Sequence, residues 1–452
     1  MPGFLTNLLR AMQARRGGDM QFLCHRLLSE RGEASQTAVA QEIINSYRAM
    51  TSSQRQGFFE MLCTDFAPDA AGILRAAAEY EKSPGTKTLA ALSAAVEAPR
   101  QELIRRINTA PGGTETLVAL RGDLFDGSRN GNAGAFEPLD ADLRHLFRSW
   151  FNRGFLRLER ISWQTSALIL EKLIRYESVH EINGWADLRR RLEADRRCFA
   201  FFHPSLPSEP IIFVEVALSD GILGELEPLL DPNASVSDPA RADTAIFYSI
   251  NNCLKGLRNV PFGNFLIKQV VTELAAEFPN VRIYSTLSPM PRFSQGLADS
   301  ENPDGLTHER LVRLLEDFAP SLTSATGKRD PAEAFIRLLE RSRERLPSAA
   351  GRRAIAAPLE RVALAYLTHA RKAGKLYDPV ATFHLSNGAR IERINAFGNL
   401  RPYGIEESFG VTVNYRYVPD DLEENHERFV RGQIEVSRGL HRELEAVSTA
   451  WQ

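Results

Sequence analysis

Apolar positions in the first third of the chain recur at helical spacing. Phe22, Leu23, Leu27 and Leu28 lie close to one face, as do Ile43, Ile44, Tyr47 and Met50, and then Phe58, Phe59 and Leu62. Alanine is dense from Ala67 to Ala98, and Gly127-Ser128-Arg129-Asn130-Gly131-Asn132-Ala133-Gly134 reads as a loop. Residues 1–150 are therefore expected to form an all-helical domain. No repeat of fixed period stands out, and no side-chain pattern in this part points to catalysis.

Near residue 197 the rhythm changes. Cys198 to His203 is a short apolar run, closed by the proline-rich block His203-Pro204-Ser205-Leu206-Pro207-Ser208-Glu209-Pro210. Strands are expected over Ile211–Leu218, Ala245–Ile250 and Val281–Leu287, with a helix before the last. Leu266, Ile267, Val270, Val271 and Leu274 mark that helix, and Pro279 lies past its end. This order fits a mixed α/β sheet. Residues 304–373 return to helix, with stripes at Leu311, Leu314 and Leu315 and at Phe335, Ile336, Leu338 and Leu339; a polar loop over Ser321–Asp330 separates them. Strands are expected to resume at Ala381. Asn387-Gly388 then reads as a hairpin turn, Val411 to Tyr417 as the last strand, and Asp421 to about Val447 as one charged terminal helix. The fold class is α+β, with a helical domain over 1–150 and a mixed α/β domain over 151–452.

Bulk properties narrow the function classes. The 452 residues allow roughly two to four domains. Lys+Arg 55 against Asp+Glu 57 gives a net charge of -2, which argues against a nucleic-acid binder. No apolar run approaches a membrane span. Cys24, Cys63, Cys198 and Cys253 form no Cys-x-x-Cys pair, and the nine histidines form no His-x-x-x-His pair, so no metal site is expected. The cysteines read as reduced thiols of an intracellular protein. The first eighteen residues carry three arginines and no acid. They read as a first helix with Phe4, Leu5, Leu8, Leu9 and Met12 on one side; the alternative is an organelle-import sequence, against which the lack of serine argues.

Four constellations carry candidate chemistry. The turn Arg258-Asn259-Val260-Pro261-Phe262-Gly263-Asn264 opens a helix, where free N–H groups either bind a phosphate or are simply capped. Ser288 follows the strand Val281–Leu287 on the face of Arg282, Tyr284 and Thr286, and Pro289 and Pro291 restrict the backbone after it. It is either a rigidly held catalytic hydroxyl or a serine in a proline turn. His384, in Phe383-His384-Leu385-Ser386-Asn387-Gly388-Ala389, is either an acid–base group or a hydrogen-bonded sheet histidine. Tyr415 and Tyr417 share one side of the last strand, Asn414 and Arg416 the other, and His203 heads the proline-rich block. There is no Gly-x-Ser-x-Gly elbow to support a hydrolase.

In this order, these blocks resemble the malonyl-CoA decarboxylase family. Matching stretches include Trp185 to Arg191, His203 to Pro210, Ala245 to Ile250, Gly263 to Lys268, Leu287 to Pro291, Phe383 to Ala389, Arg393 to Asn395 and Val413 to Tyr417. The resemblance implies a helical domain followed by a domain like the GNAT-superfamily acyltransferase fold. It implies decarboxylation of malonyl-CoA to acetyl-CoA and CO2 with no cofactor and no metal. Ser288, His384 and Tyr417 fall on catalytic positions, and Arg258 to Asn264 with His203 on the coenzyme A site. Pro261 stands where relatives can carry glutamate. A homo-oligomer built through the helical domain is also implied, in the cytoplasm or, alternatively, the mitochondrial matrix. In this reading Ser288 binds the substrate carboxylate or carbonyl and His384, with a pKa near neutral, protonates the carbanion. The rival readings are an acyl-CoA-dependent N-acyltransferase and a non-catalytic malonyl-CoA sensor.

Overall fold

The helical rhythm of the first part is realised as a succession of helices. The computed structural model describes residues 20–129, 134–260 and 266–452. A helix over 20–29 is followed by Glu33–Arg48, Ser52–Thr64, Ala70–Lys82, Thr86–Val96, Pro99–Thr109, Gly113–Arg129 and Glu137–Trp150. Thr51 and Gln54 form a reciprocal capping box at the start of the third. Ile43, Ile44, Phe58, Phe59, Leu103, Ile104, Leu143 and Phe147 are buried among them. The helix Gly113–Arg129 runs through Gly127, so the expected loop is shorter than read, and residues 130–133 lie outside the described residues. So do Phe4 to Met12 and Pro261, Phe262, Gly263 and Asn264.

The chain divides into two compact units. The first comprises the chain up to Arg157 together with Phe201–Ile212 and Asn252–Gly263. The second holds Leu158–Ala200, Phe213–Asn251 and Asn264–Gln452.

The main sheet has eight strands. They are β1 (Arg157–Ile161), β2 (Arg196–His203), β3 (Leu206–Ser219), β4 (Thr244–Asn252), β5 (Ile283–Thr286), β6 (Ser288–Pro289), β9 (Arg390–Asn395) and β10 (Thr412–Tyr417). A separate ribbon pairs β7 (Arg371–Lys372) with β8 (Lys375–Leu376). The order runs β1-β2-β3-β4-β5-β10, and β6 and β9 also pair with β10. β4 and β5 are parallel, whereas β5, β6 and β9 all meet β10 antiparallel. Phe199, Phe213, Val214, Val216 and Phe247 are almost fully buried along these strands. Each such side chain contributes about 1.5–3 kcal/mol.

Several expected boundaries move. β3 begins at Leu206, so the proline-rich block is only a turn at Pro204-Ser205 followed by strand. The polar stretch Ser321–Asp330 is half helix: Ala319–Thr326 is stopped by Gly327 at φ 75°, and Asp330 caps the helix Pro331–Glu344. The charged C-terminal segment is two helices, Leu422–Val430 and His441–Trp451. Between them the chain returns to the sheet, where Val436 bridges Ile391.

The largest departure concerns His384. No strand runs over 381–386; the segment Pro379–Ser386 is a helix. Asp378 caps its start, Pro379 occupies its first turn, and Gly388 follows its end at φ 82°. The N–H groups of Gly388 and Ala389 bond back to the carbonyls of Leu385 and His384. A side chain at Gly388 has no room, because its Cβ would lie 2.1 Å from the Leu422 carbonyl oxygen. Glycine with positive φ serves a hairpin and a helix end equally well, which is why Asn387-Gly388 misleads.

Candidate active site

Ser288 sits where one strand is interrupted. β5 pairs with β10 at Ser285–Arg416, and β6 resumes the same register at Ser288–Val413. Leu287 breaks the run, and its N–H turns to the Phe247 carbonyl of β4. Side chains fill the gap in the ladder. The Thr286 hydroxyl accepts the Tyr415 N–H at 3.0 Å, and the Asn414 amide donates to the Thr286 carbonyl at 2.6 Å. The parallel pairing of β4 with β5 ends at Phe247–Thr286. Ser288 therefore lies just past the carboxyl end of β5, where α/β sheets usually carry ligands.

His384 reaches Ser288 from the helix Pro379–Ser386. Its Nε2 lies 2.9 Å from Ser288 Oγ, although the two residues are 96 positions apart. Its Nδ1 lies 2.7 Å from the Tyr417 hydroxyl. Tyr415 stacks on the imidazole at 4.6 Å, and Phe247 meets the Tyr417 ring edge-on at 6.3 Å. Ser288, His384, Tyr415 and Tyr417 are all buried.

The proton order follows from counting donors. Burial pushes the His384 imidazole down to about 3, so the ring is neutral and has one donor and one acceptor nitrogen. The near-neutral pKa expected for it is thus corrected downward by desolvation. Ser288 Oγ is 2.8 Å from Thr286 Oγ1, and Thr286 Oγ1 is 3.4 Å from the Val413 carbonyl. Among the described residues, the Tyr417 hydroxyl has His384 Nδ1 as its acceptor. One arrangement satisfies every donor. Tyr417 donates to Nδ1, Nε2–H donates to Ser288, Ser288 donates to Thr286, and Thr286 donates to Val413. The reverse order leaves the buried Tyr417 proton without an acceptor, at a cost of about 1–3 kcal/mol.

Arg258, Asn259, Val260 and His203 fall in the first unit. Arg258 and Asn259 are exposed, Asn259 at φ 61°, and Val260 is buried. The fully buried Arg121 holds this turn by donating to the carbonyls of Gly256 and Arg258 at 2.7 and 2.8 Å. Asp140 balances its charge. His203 is committed to local structure. The Ser205 N–H donates to its Nδ1, its Nε2 meets the Trp150 carbonyl, and Phe151 packs on its ring.

Sequence reasoning missed Thr286, Asp378 and Arg121 as contributors, and left Tyr415 open between a part in the site and core packing. The period-two alternation placing Thr286 beside Ser288 was a usable signal, and so was Asp378-Pro379 as a helix start. Nothing in the local sequence marks Arg121. Among the described residues no group of three or more His, Cys, Asp or Glu side chains is placed to hold a metal, and no helix is long and apolar enough to cross a membrane.

Family comparisons cover nearly all of this architecture. Residues 154–452 match the model of the malonyl-CoA decarboxylase C-terminal domain, and residues 66–151 that of the N-terminal domain. Mitochondrial malonyl-CoA decarboxylase of Anser anser anser is 33% identical over 406 residues, covering 85% of this chain and 78% of the relative. The crystal structure of malonyl-CoA decarboxylase from Rhodopseudomonas palustris superposes with a TM-score of 0.83 at 41% identity, covering 94% of this chain and 99% of that one. The enzyme from Agrobacterium vitis gives 0.82 at 39% identity, covering 96% and 100%. The chain belongs to the malonyl-CoA decarboxylase family of carboxy-lyases.

Proposed function

We propose that this chain converts malonyl-CoA to acetyl-CoA and CO2, with Ser288 and His384 as the reacting pair and Tyr417 behind them. The observation that carries the reading is the buried row in which His384 meets Ser288 Oγ at 2.9 Å and the Tyr417 hydroxyl at 2.7 Å, to which donor counting gives the direction Tyr417 to His384 to Ser288. A serine nucleophile needs its base to accept the hydroxyl proton. Here the imidazole presents Nε2–H to the serine, so Ser288 is a binding group and His384 a proton donor.

Proton bookkeeping closes on this pair. The substrate carboxylate, bound at Ser288, brings a negative charge beside a buried imidazole. That charge raises the imidazole pKa, and His384 takes up a proton as substrate binds. The bond between C2 and the carboxylate carbon then breaks. Its electron pair moves into the thioester as an enolate, and CO2 leaves. His384 gives its proton to C2 and returns to neutral. One proton is consumed per turnover, as the overall reaction requires. The thioester carbonyl is the electron sink, so the scheme uses no metal or organic cofactor. Excluding water from the carboxylate favours loss of its charge.

Arg258 to Asn264 is our proposed coenzyme phosphate contact, supported by the exposed Arg258 on a turn pinned by Arg121. His203 is the other proposed coenzyme contact; with both ring nitrogens occupied it would border the ligand through its ring. We assign assembly to the helical hairpin Ala70–Lys82 and Thr86–Val96. Neither helix buries a residue, and Leu74, Leu89 and Val96 are 72%, 49% and 52% exposed. A second copy of this chain is the proposed occupant of that face.

The test is direct. Purified protein is mixed with malonyl-CoA and chelator, without an amine, and acetyl-CoA and CO2 are followed. Equimolar release that is lost in Ser288→Ala and His384→Ala is expected. Turnover that requires an amine would favour the acyltransferase, and binding without CO2 would favour a sensor.

A further inference from the structure

Two chain segments far apart in sequence must be held in register for Ser288 and His384 to meet. One buried side chain touches both. Asp378 is 1% exposed. Its Oδ1 accepts the N–H groups of Val380 and Ala381, each at 2.9 Å, at the start of the His384 helix. The backbone N–H of Arg292, four residues after Ser288, faces the same carboxylate and favours its charged form. Tyr366 approaches Oδ2 at 3.5 Å and packs against Phe293 in the same loop-to-helix segment, with ring centroids 5.2 Å apart. A cap alone does not need this burial, since an exposed aspartate caps a helix as well.

We propose that Asp378 is a positioning residue for the reaction: its two oxygens tie the His384 helix to the loop after Ser288 and so set the distance between the reacting groups. Burial pushes this carboxyl up to about 6, so the fold retains a carboxylate where desolvation opposes it. Tyr366 and Tyr415, both fully buried, lie close enough to feel its charge.

Asp378→Asn separates tying from capping. The amide oxygen still accepts from Val380 and Ala381, but the amide nitrogen turns a donor toward the Arg292 N–H. Loss of kcat by about tenfold or more is expected, with KM changed less than about twofold, because misplacement of about 1 Å costs up to about a hundredfold. In a Ser288→Ala background the same change should have no further effect on the residual rate. The imidazole nitrogen resonances of His384 in the full chain should move or broaden in Asp378→Asn. If kcat stays within about twofold and the resonances stay in place, the tie is overturned. So it is if the losses in the two backgrounds multiply. Should the amide variant not fold, Asp378→Ser keeps a capping oxygen and supplies the same comparison. The rate arm rests on the decarboxylase reading, whereas the resonance arm does not, so failure of one is distinguished from failure of the other.

Discussion

Tyr415 lies flat against His384, with ring centroids 4.6 Å apart and planes at 24°, while its own hydroxyl is buried without a hydrogen-bond partner among the described residues. The ring and the hydroxyl thus make separable contributions. The face of an aromatic ring stabilises a neighbouring cation, here the imidazolium that forms when substrate binds. Tyr415→Phe keeps the ring and removes an unsatisfied polar group. It should leave kcat within about twofold and raise stability by about 1 kcal/mol in urea unfolding. Tyr415→Leu should lower kcat clearly; equal rates in both variants would remove the ring from the mechanism.

Tyr417 and Thr286 set the proton order from opposite ends. Tyr417→Phe deprives Nδ1 of its donor, and kcat should fall by about ten- to a hundredfold with intact circular dichroism. Thr286→Val leaves the Ser288 proton without its acceptor and should weaken the preference for that order. Nitrogen resonances of His384 should report the Nε2–H tautomer in the parent and a larger share of the Nδ1–H tautomer in Thr286→Val. An Nδ1–H tautomer in the parent contradicts the assigned direction.

Acid should destabilise the fold through its buried histidines. His384 and His180 are both held down to about 3 by burial, against about 6.5 in an unfolded chain. Between those values the unfolded chain binds more protons, so stability is full above about pH 6.5 and declines as pH falls toward 3. Asp378, pushed up to about 6, has the opposite sign: its contribution is full below about pH 4 and is lost as pH rises through 6. Glu215, pushed up to about 8 by burial, shares the sign of Asp378 over a range as wide as that of the histidines, so the comparison of variants is the readout. Between pH 7 and pH 5 the urea midpoint of His180→Gln should fall less, or rise more, than that of the parent. An identical pH response in parent and variant would show that His180 is not buried neutral.

Self-association is predicted to depend on the hairpin Ala70–Lys82 and Thr86–Val96. Placing charge on its apolar face with Leu74→Glu and Leu89→Glu should reduce the mass found by light scattering on a sizing column. Decarboxylation per chain should change little. An unchanged mass would move the contact elsewhere.

Much of this was legible in the chain itself. Period-two alternation located β4 and β10, and it put Tyr417 on the face of Tyr415. The proline pair after Ser288 announced a constrained strand end, and the helical spacing of residues 22–62 held. What failed was the secondary structure around His384. Its helix has eight residues and almost no amphipathic contrast, because one face meets the sheet and Phe383 is exposed at the other. Period gives no signal there; Asp378-Pro379 at one end and Gly388 at the other did. The meeting of Ser288 with His384 depends on contacts across 96 residues, which no local pattern encodes.

A row of donors and acceptors that all point one way behaves as a single variable. No link between Tyr417 and Val413 can reverse alone, because each hydroxyl has one proton and the ring has one. The row is therefore a switch with two settings, one of them preferred. Ser288 already gives its one proton to Thr286, so a ligand that donates to Ser288 leaves the row as it is, whereas one that accepts from Ser288 must draw that proton off Thr286. Carboxylates and thioester carbonyls belong to the second kind; N–H groups and alcohols locked as donors belong to the first. Thr286 is thus the group that registers whether a ligand at Ser288 accepts or donates.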